Sequence, residues 1–160
     1  MADETFYGAI EAGGTKIVCA VFSSGPLDSV DIVSQTKIPT TSPSEVFPKI
    51  RAFFEEVDKP LSGFGIGTFG PVCLDRDSDD YGTILKTPKP HWEGACWLDT
   101  VPELAEEDSP VAVDTDVNAA ALGELNWGAG KGVNDLVYIT IGTGIGDCLT
   151  FAPAASSCRT

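Results

Sequence analysis

Short apolar runs separated by glycine-rich turns open this chain. Near residue 43 they give way to apolar residues at helical spacing, and the short runs then return. Residues 6–10 and 17–22 read as strands flanking Gly13-Gly14, and so as a hairpin; residues 32–38 read as a third strand. Ser42, Pro43 and Glu45 form a helix-start signature, after which Val46, Ile50, Phe53, Phe54 and Val57 share one helical face. Pro48 removes an intrahelical hydrogen bond, so the start of this helix stays open between Pro43 and Pro48. Residues 63–69 read as a strand entering a turn at Gly70-Pro71, residues 74–82 as an acidic surface loop, and residues 111–113 as a short strand. The alanines and acidic start of residues 116–125 predict a helix. Residues 127–132 form a loop, and residues 136–141 a strand with residues 148–151 as its hairpin partner.

Composition narrows the function classes. The 160 residues suit one ordinary domain or two small ones, and 42% hydrophobic against 21% charged residues permits a packed core. The net charge of −14, from 24 acidic and 10 basic residues, disfavours nucleic acid and anionic membranes as partners. It repels free ATP too, so a nucleotide site here needs local backbone donors and a divalent cation. Residues 1–5 lack the features of a signal peptide, and no uncharged apolar stretch is long enough to span a bilayer. Five cysteines without a C-x-x-C pair, and a single histidine, argue against a disulfide framework or a zinc site. The expected setting is the cytoplasm, with reduced thiols.

Two turns carry candidate chemistry. Glu11-Ala12-Gly13-Gly14-Thr15-Lys16 follows the first strand, and Thr140-Ile141-Gly142-Thr143-Gly144-Ile145-Gly146 follows residues 136–139. Glycines let backbone amides approach an anion, and threonine adds a hydroxyl donor. Each turn alone is an ordinary hairpin turn; two facing each other would hold one polyphosphate. Between them lies Asp114-Thr115-Asp116-Val117-Asn118, which opens the alanine-rich helix. An aspartate there is most often an N-cap. The neighbouring Asp114 and Asn118, and the flanking turns, favour a catalytic carboxylate. Gly65-Ile66-Gly67-Thr68-Phe69-Gly70 matches G-x-G-x-x-G, but Pro71 and Val72 follow instead of a helix, so a dinucleotide site is rejected. Trp92, Trp97 and Trp127 read as core before sugar-stacking residues, and His91 as a surface residue.

These two turns and the Asp114–Asn118 junction, together with Thr87-Pro88-Lys89-Pro90 and Trp127-Gly128-Ala129-Gly130-Lys131-Gly132, resemble the ROK sugar kinases, within them most the bacterial fructokinases. Glu11 and Thr115 follow the fructokinase branch. The resemblance runs from about Tyr7 to Gly146. It implies an α/β actin-like ATPase (ribonuclease-H-like) fold: an N-terminal lobe over residues 1–115, then the beginning of the C-terminal lobe over 116–146. Residues 147–160 form a tail unlike the family, and the expectation is of a chain truncated after the second phosphate motif. The implied reaction is ATP-dependent phosphorylation of a hexose, fructose to fructose 6-phosphate, with ATP and Mg²⁺ as cofactors. The resemblance implies Asp116 as general base, with Gly13, Gly14, Thr15, Lys16, Gly142, Thr143 and Gly144 facing the ATP phosphates. Gly70, Thr87, Thr115 and Asn118 would lie near the sugar. The family's zinc ligands are missing from the tail, so no metal site is expected among these residues. A homodimer is a possible state. Family repressors carry a DNA-binding segment upstream of Gly8; seven residues precede it here, so a repressor is not expected. The alternative reading is a catalytically silent fragment that binds sugar or a partner chain.

Overall fold

Strand β1 (Thr5–Ala12) turns back through residues 13–15 into β2 (Lys16–Ser24), and β2 pairs in turn with β3 (Val30–Pro39); both pairings are antiparallel. Helix α1 (Pro43–Val57) returns the chain to the other side of β1, where β4 (Leu61–Thr68) and then β5 (Val111–Thr115) add in parallel. The resulting sheet has the order β3-β2-β1-β4-β5. Helix α2 (Asp116–Trp127) follows β5 directly. Strands β6 (Asp135–Ile141) and β7 (Ile145–Phe151) then form a separate antiparallel pair. The computed structural model describes residues 4–24, 30–100, 109–142 and 145–151.

Sequence dictates this layering plainly in the central strands. Ile10 and Ala12 of β1, Ile17, Cys19 and Val21 of β2, and Phe64 and Ile66 of β4 are all buried. Val46, Ile50 and Phe54, which share the apolar face of α1, close over them. Phe54 packs edge-to-face on Phe64 at 5.0 Å between ring centroids. Helix α1 begins at Pro43 and runs through Pro48, at the loss of one backbone hydrogen bond. The capping box expected at Ser42 does not form; its Oγ lies 3.0 Å from Ser44 Oγ instead. Trp92 and Trp97 are core residues as expected, whereas Trp127 is 70% exposed.

The β6–β7 pair is packed on one side only. Helix α2 contacts β4 and β5 and also β6 and β7, so it joins the two sheets. Val137, Ile139, Ile141 and Ile145 remain 60–79% exposed. Cys19, Cys73 and Cys96 carry free thiols, and burial pushes the Cys19 thiol up to about 12. Cys148 is disulfide-bonded, which departs from the expectation of reduced thiols throughout. No helix among the described residues is long and apolar enough to cross a membrane.

Ile10, at 2% exposure, sits in the central strand, and Ile32, at 59%, sits on the edge strand. Urea denaturation is expected to show a loss of about 2–5 kcal/mol for Ile10→Ala. Ile32→Ala is expected to stay within about 0.5 kcal/mol of the unsubstituted chain.

Candidate functional site

Three parallel strands end in one row. Ala12 pairs with Thr68, and Thr68 with Thr115. The Phe69 amide extends this row by donating to the Ala12 carbonyl at 2.8 Å. Whatever follows each strand therefore emerges at the same edge of the sheet: the Gly13-Gly14 turn after β1, Phe69-Gly70 after β4, and Asp116 after β5. Gly67 lets α2 approach this edge. A Cβ on it would lie 2.9 Å from Ala119 Cβ, closer than two such carbons approach, so α2 would have to shift.

The first glycine turn has its carbonyls tied back. Thr40 Oγ1 donates to Gly13 O at 2.8 Å, and the Thr40 amide donates to Thr15 O at 3.0 Å. Lys89 Nζ donates to Gly14 O. The Gly13 amide closes the turn onto Lys16 O at 2.9 Å. The amides of Gly14 and Thr15 donate to no described residue. Acceptors are thus occupied while donors stay open, the condition for a backbone anion cradle.

At the β5–α2 junction, Thr115 rather than Asp116 is the N-cap. Thr115 Oγ1 accepts from the Asn118 amide at 3.1 Å. Asp114 Oδ1 accepts from the Thr115 amide at 2.7 Å and from Asn118 Nδ2 at 2.6 Å. Asn118 is 1% exposed, and its Oδ1 is buried without a hydrogen-bond partner among the described residues. These three residues hold the junction. Asp116, in the first position of α2, is not the N-cap but still takes up a first-turn amide. Its Oδ1 accepts from the Val117 amide at 2.9 Å. Burial raises the Asp116 carboxyl above the ordinary aspartate range. Backbone hydrogen bonds at the helix start pull it back down, and the Glu11 charge adds to the rise. A helix N-terminus by itself favours an ionised carboxylate. The helix start acts in that direction, but desolvation outweighs it.

A cleft of about 640 Å³ opens at this edge, and Gly14, Gly70, Lys89, Asp116, Thr140 and Gly142 are among its lining residues. It brings together the first turn, the β4 exit, the candidate carboxylate and the start of the second turn. Gly13, Thr15 and Lys16 belong to the first turn but do not line the cleft. Thr87 stands just behind the lining residue Pro88, and its Oγ1 accepts from the Lys89 amide at 3.3 Å. Thr115 and Asn118 are behind Asp116, engaged in the junction. Thr143 and Gly144 lie outside the described residues. A larger cavity, of about 820 Å³, lies at the start of α1; it includes Lys89 and His91 but neither Asp116 nor either glycine turn. Among the described residues, no three histidines, cysteines or carboxylates gather as metal ligands. Sequence reasoning quoted Lys89 within a motif without assigning it a role.

The sequence profile of the ROK family matches residues 7–153. The fructokinase of Zymomonas mobilis is 42% identical over 149 residues, covering 90% of this chain and 47% of that protein. The fructokinase of Streptococcus mutans is 43% identical over 140 residues, covering 88% of this chain and 45% of that protein. Among solved structures, a ROK family glucokinase from Streptomyces griseus in complex with glucose and AMPPNP superposes with a TM-score of 0.71. It is 29% identical, and the match covers 98% of this chain and 46% of that one. The fold is the actin-like ATPase fold of these sugar kinases. The chain spans about half the length of the curated relatives it matches.

The raised Asp116 carboxyl has a consequence for stability. The native state holds this proton more tightly than the unfolded chain, so stability falls as pH rises from the ordinary aspartate value of 3.8 through the raised native one. Asp116→Asn, neutral throughout, escapes that loss. Melting curves are expected to show Asp116→Asn at least as stable as the unsubstituted chain at neutral pH, with the difference vanishing in acid.

Proposed function

This chain belongs to the ROK family, and we propose that it carries the sugar- and phosphate-facing half of an ATP-dependent hexose kinase, with fructose as substrate and fructose 6-phosphate as product. The observation that carries the reading is the single cleft shared by Gly14, Gly70, Asp116, Thr140 and Gly142. The names of its relatives support the reaction class, fructokinase and glucokinase alike, and the higher identities to fructokinases support the ketohexose.

A sugar hydroxyl is a weak nucleophile at neutral pH. Asp116 accepts its proton as the new P–O bond forms, and a carboxylate of raised basicity is the better acceptor. The open amides of Gly14 and Thr15 receive phosphate oxygens, Gly142 lines the same cleft, and Thr143 and Gly144 complete its turn in this reading. Gly70 and Thr87 border the sugar, and Thr115 and Asn118 hold the base in place for it. Mg²⁺ fits as a cation carried chiefly by the phosphates, since such ions need only one or two protein carboxylates. Glu11, near enough to act on Asp116, is the available one. When bound, the ion supplies neutralisation of phosphate charge. Residues 1–115 form the first lobe in this reading and 116–146 begin the second. The setting in this reading is the cytoplasm.

One observation favours a second reading, a chain that binds sugar or a partner without turnover: the open apolar face of Val137, Ile139, Ile141 and Ile145. A coupled assay with Mg-ATP and a hexose panel separates the two. Fructose-dependent ADP release, falling about 10²–10⁴-fold in Asp116→Asn, is expected for the kinase. Equal turnover in the variant refutes Asp116 as base. Sugar-dependent thermal stabilisation without ADP release marks the silent binder.

A further inference from the structure

Lys89 and Asp116 are the only charged residues among those described as lining the cleft. In a chain of net charge −14, a cation at this place calls for a reason. It is a built position. The Lys89 amide is held by Thr87 Oγ1 at 3.3 Å. Its ammonium lies 5.4 Å from the centre of the Phe69 ring, and Phe69 stacks edge-on against the fully buried Trp92, 5.1 Å away. Trp92 is anchored in turn, its Nε1 donating to Thr41 O at 2.6 Å. The ammonium ends on the Gly14 carbonyl, in the turn whose amides stand open. Among the described residues no carboxylate pairs with it.

We infer that Lys89 is a phosphate-contacting residue of this cleft: its ammonium leaves the Gly14 carbonyl for an oxygen of the polyphosphate beside Gly14. The inference rests on the kinase reading for the identity of the anion and deepens it. A neutral carbonyl is a weak partner for an ammonium, and a phosphate oxygen is a strong one. The exchange also supplies local positive charge that the acidic chain otherwise lacks. Rotation about the terminal bonds of the side chain suffices for the exchange, with the ammonium still beside Phe69.

The test uses the full chain and tripolyphosphate, with no sugar or nucleoside present, followed by calorimetry. Lys89→Met keeps an apolar stem over Phe69 and removes the charge; Lys89→Arg keeps the charge. Lys86→Gln, on an exposed residue outside the cleft, is the control. Tripolyphosphate affinity is expected to fall at least about tenfold in Lys89→Met, the scale of a hydrogen bond to a charged group. It is expected to be largely retained in Lys89→Arg and unchanged in Lys86→Gln. Melting temperatures identify any variant that fails to fold; should Lys89→Met be one, Lys89→Gln, which also removes the charge, replaces it with the same fall expected and the same undiminished affinity overturning the inference. Undiminished affinity in a folded Lys89→Met overturns the inference, as does an unsubstituted chain that binds no tripolyphosphate. Lys89-dependent tripolyphosphate binding without fructose-dependent ADP release upholds it while refuting the kinase. Fructose-dependent ADP release undiminished in Lys89→Met does the reverse.

Discussion

Everything at the cleft depends on the register of three parallel strands. Ala12, Thr68 and Thr115 stand side by side at the ends of β1, β4 and β5. A strand slipped by one residue would turn its side chains to the opposite face and expose a core of Ile10, Ile66 and Val113. Hydrophobic burial therefore guards the alignment, and the alignment in turn puts two turns and a helix start at one edge. The site lies beyond the carboxyl ends of parallel strands, where chain connections leave a crevice in open α/β sheets.

Local hydrogen bonding then sorts the polar residues by task. Thr115 caps α2 and Asp114 braces Thr115 and Asn118, while Asp116 takes up the Val117 amide. Thr40 occupies two carbonyls of the first turn and Lys89 the third. Each task is simple, and the sum is a crevice with open amide donors on one side and a desolvated carboxylate on the other. The same burial that makes the carboxylate basic also costs stability when it is charged, a conflict common at sites held for chemistry.

Much of this was legible in the sequence, for identifiable reasons. The strands and α1 announced themselves by periodicity, and the glycine turns by composition. Residues whose meaning is long-range did not. Lys89 and Gly14 are 75 positions apart, and no local pattern joins them. The preference of Thr115 over Asp116 as cap is a matter of backbone geometry between adjacent candidates, each acceptable by residue type. Pro48 looked like a boundary, yet the packing of Val46, Ile50 and Phe54 carries the helix through it. Trp127 resembled its two buried namesakes in type alone; it ends α2 facing solvent.

Helix α2 touches both sheets and carries Asp116 at its first position. It thus has the Asp116 carboxyl at its tip and the β6–β7 hairpin on its flank. Any tilt that swings the hairpin carries the carboxylate with it, while the Gly13-Gly14 bend stays with the larger sheet. The separation between Asp116 and that bend is therefore set by how α2 seats on Gly67, where the absent side chain leaves room for that seat.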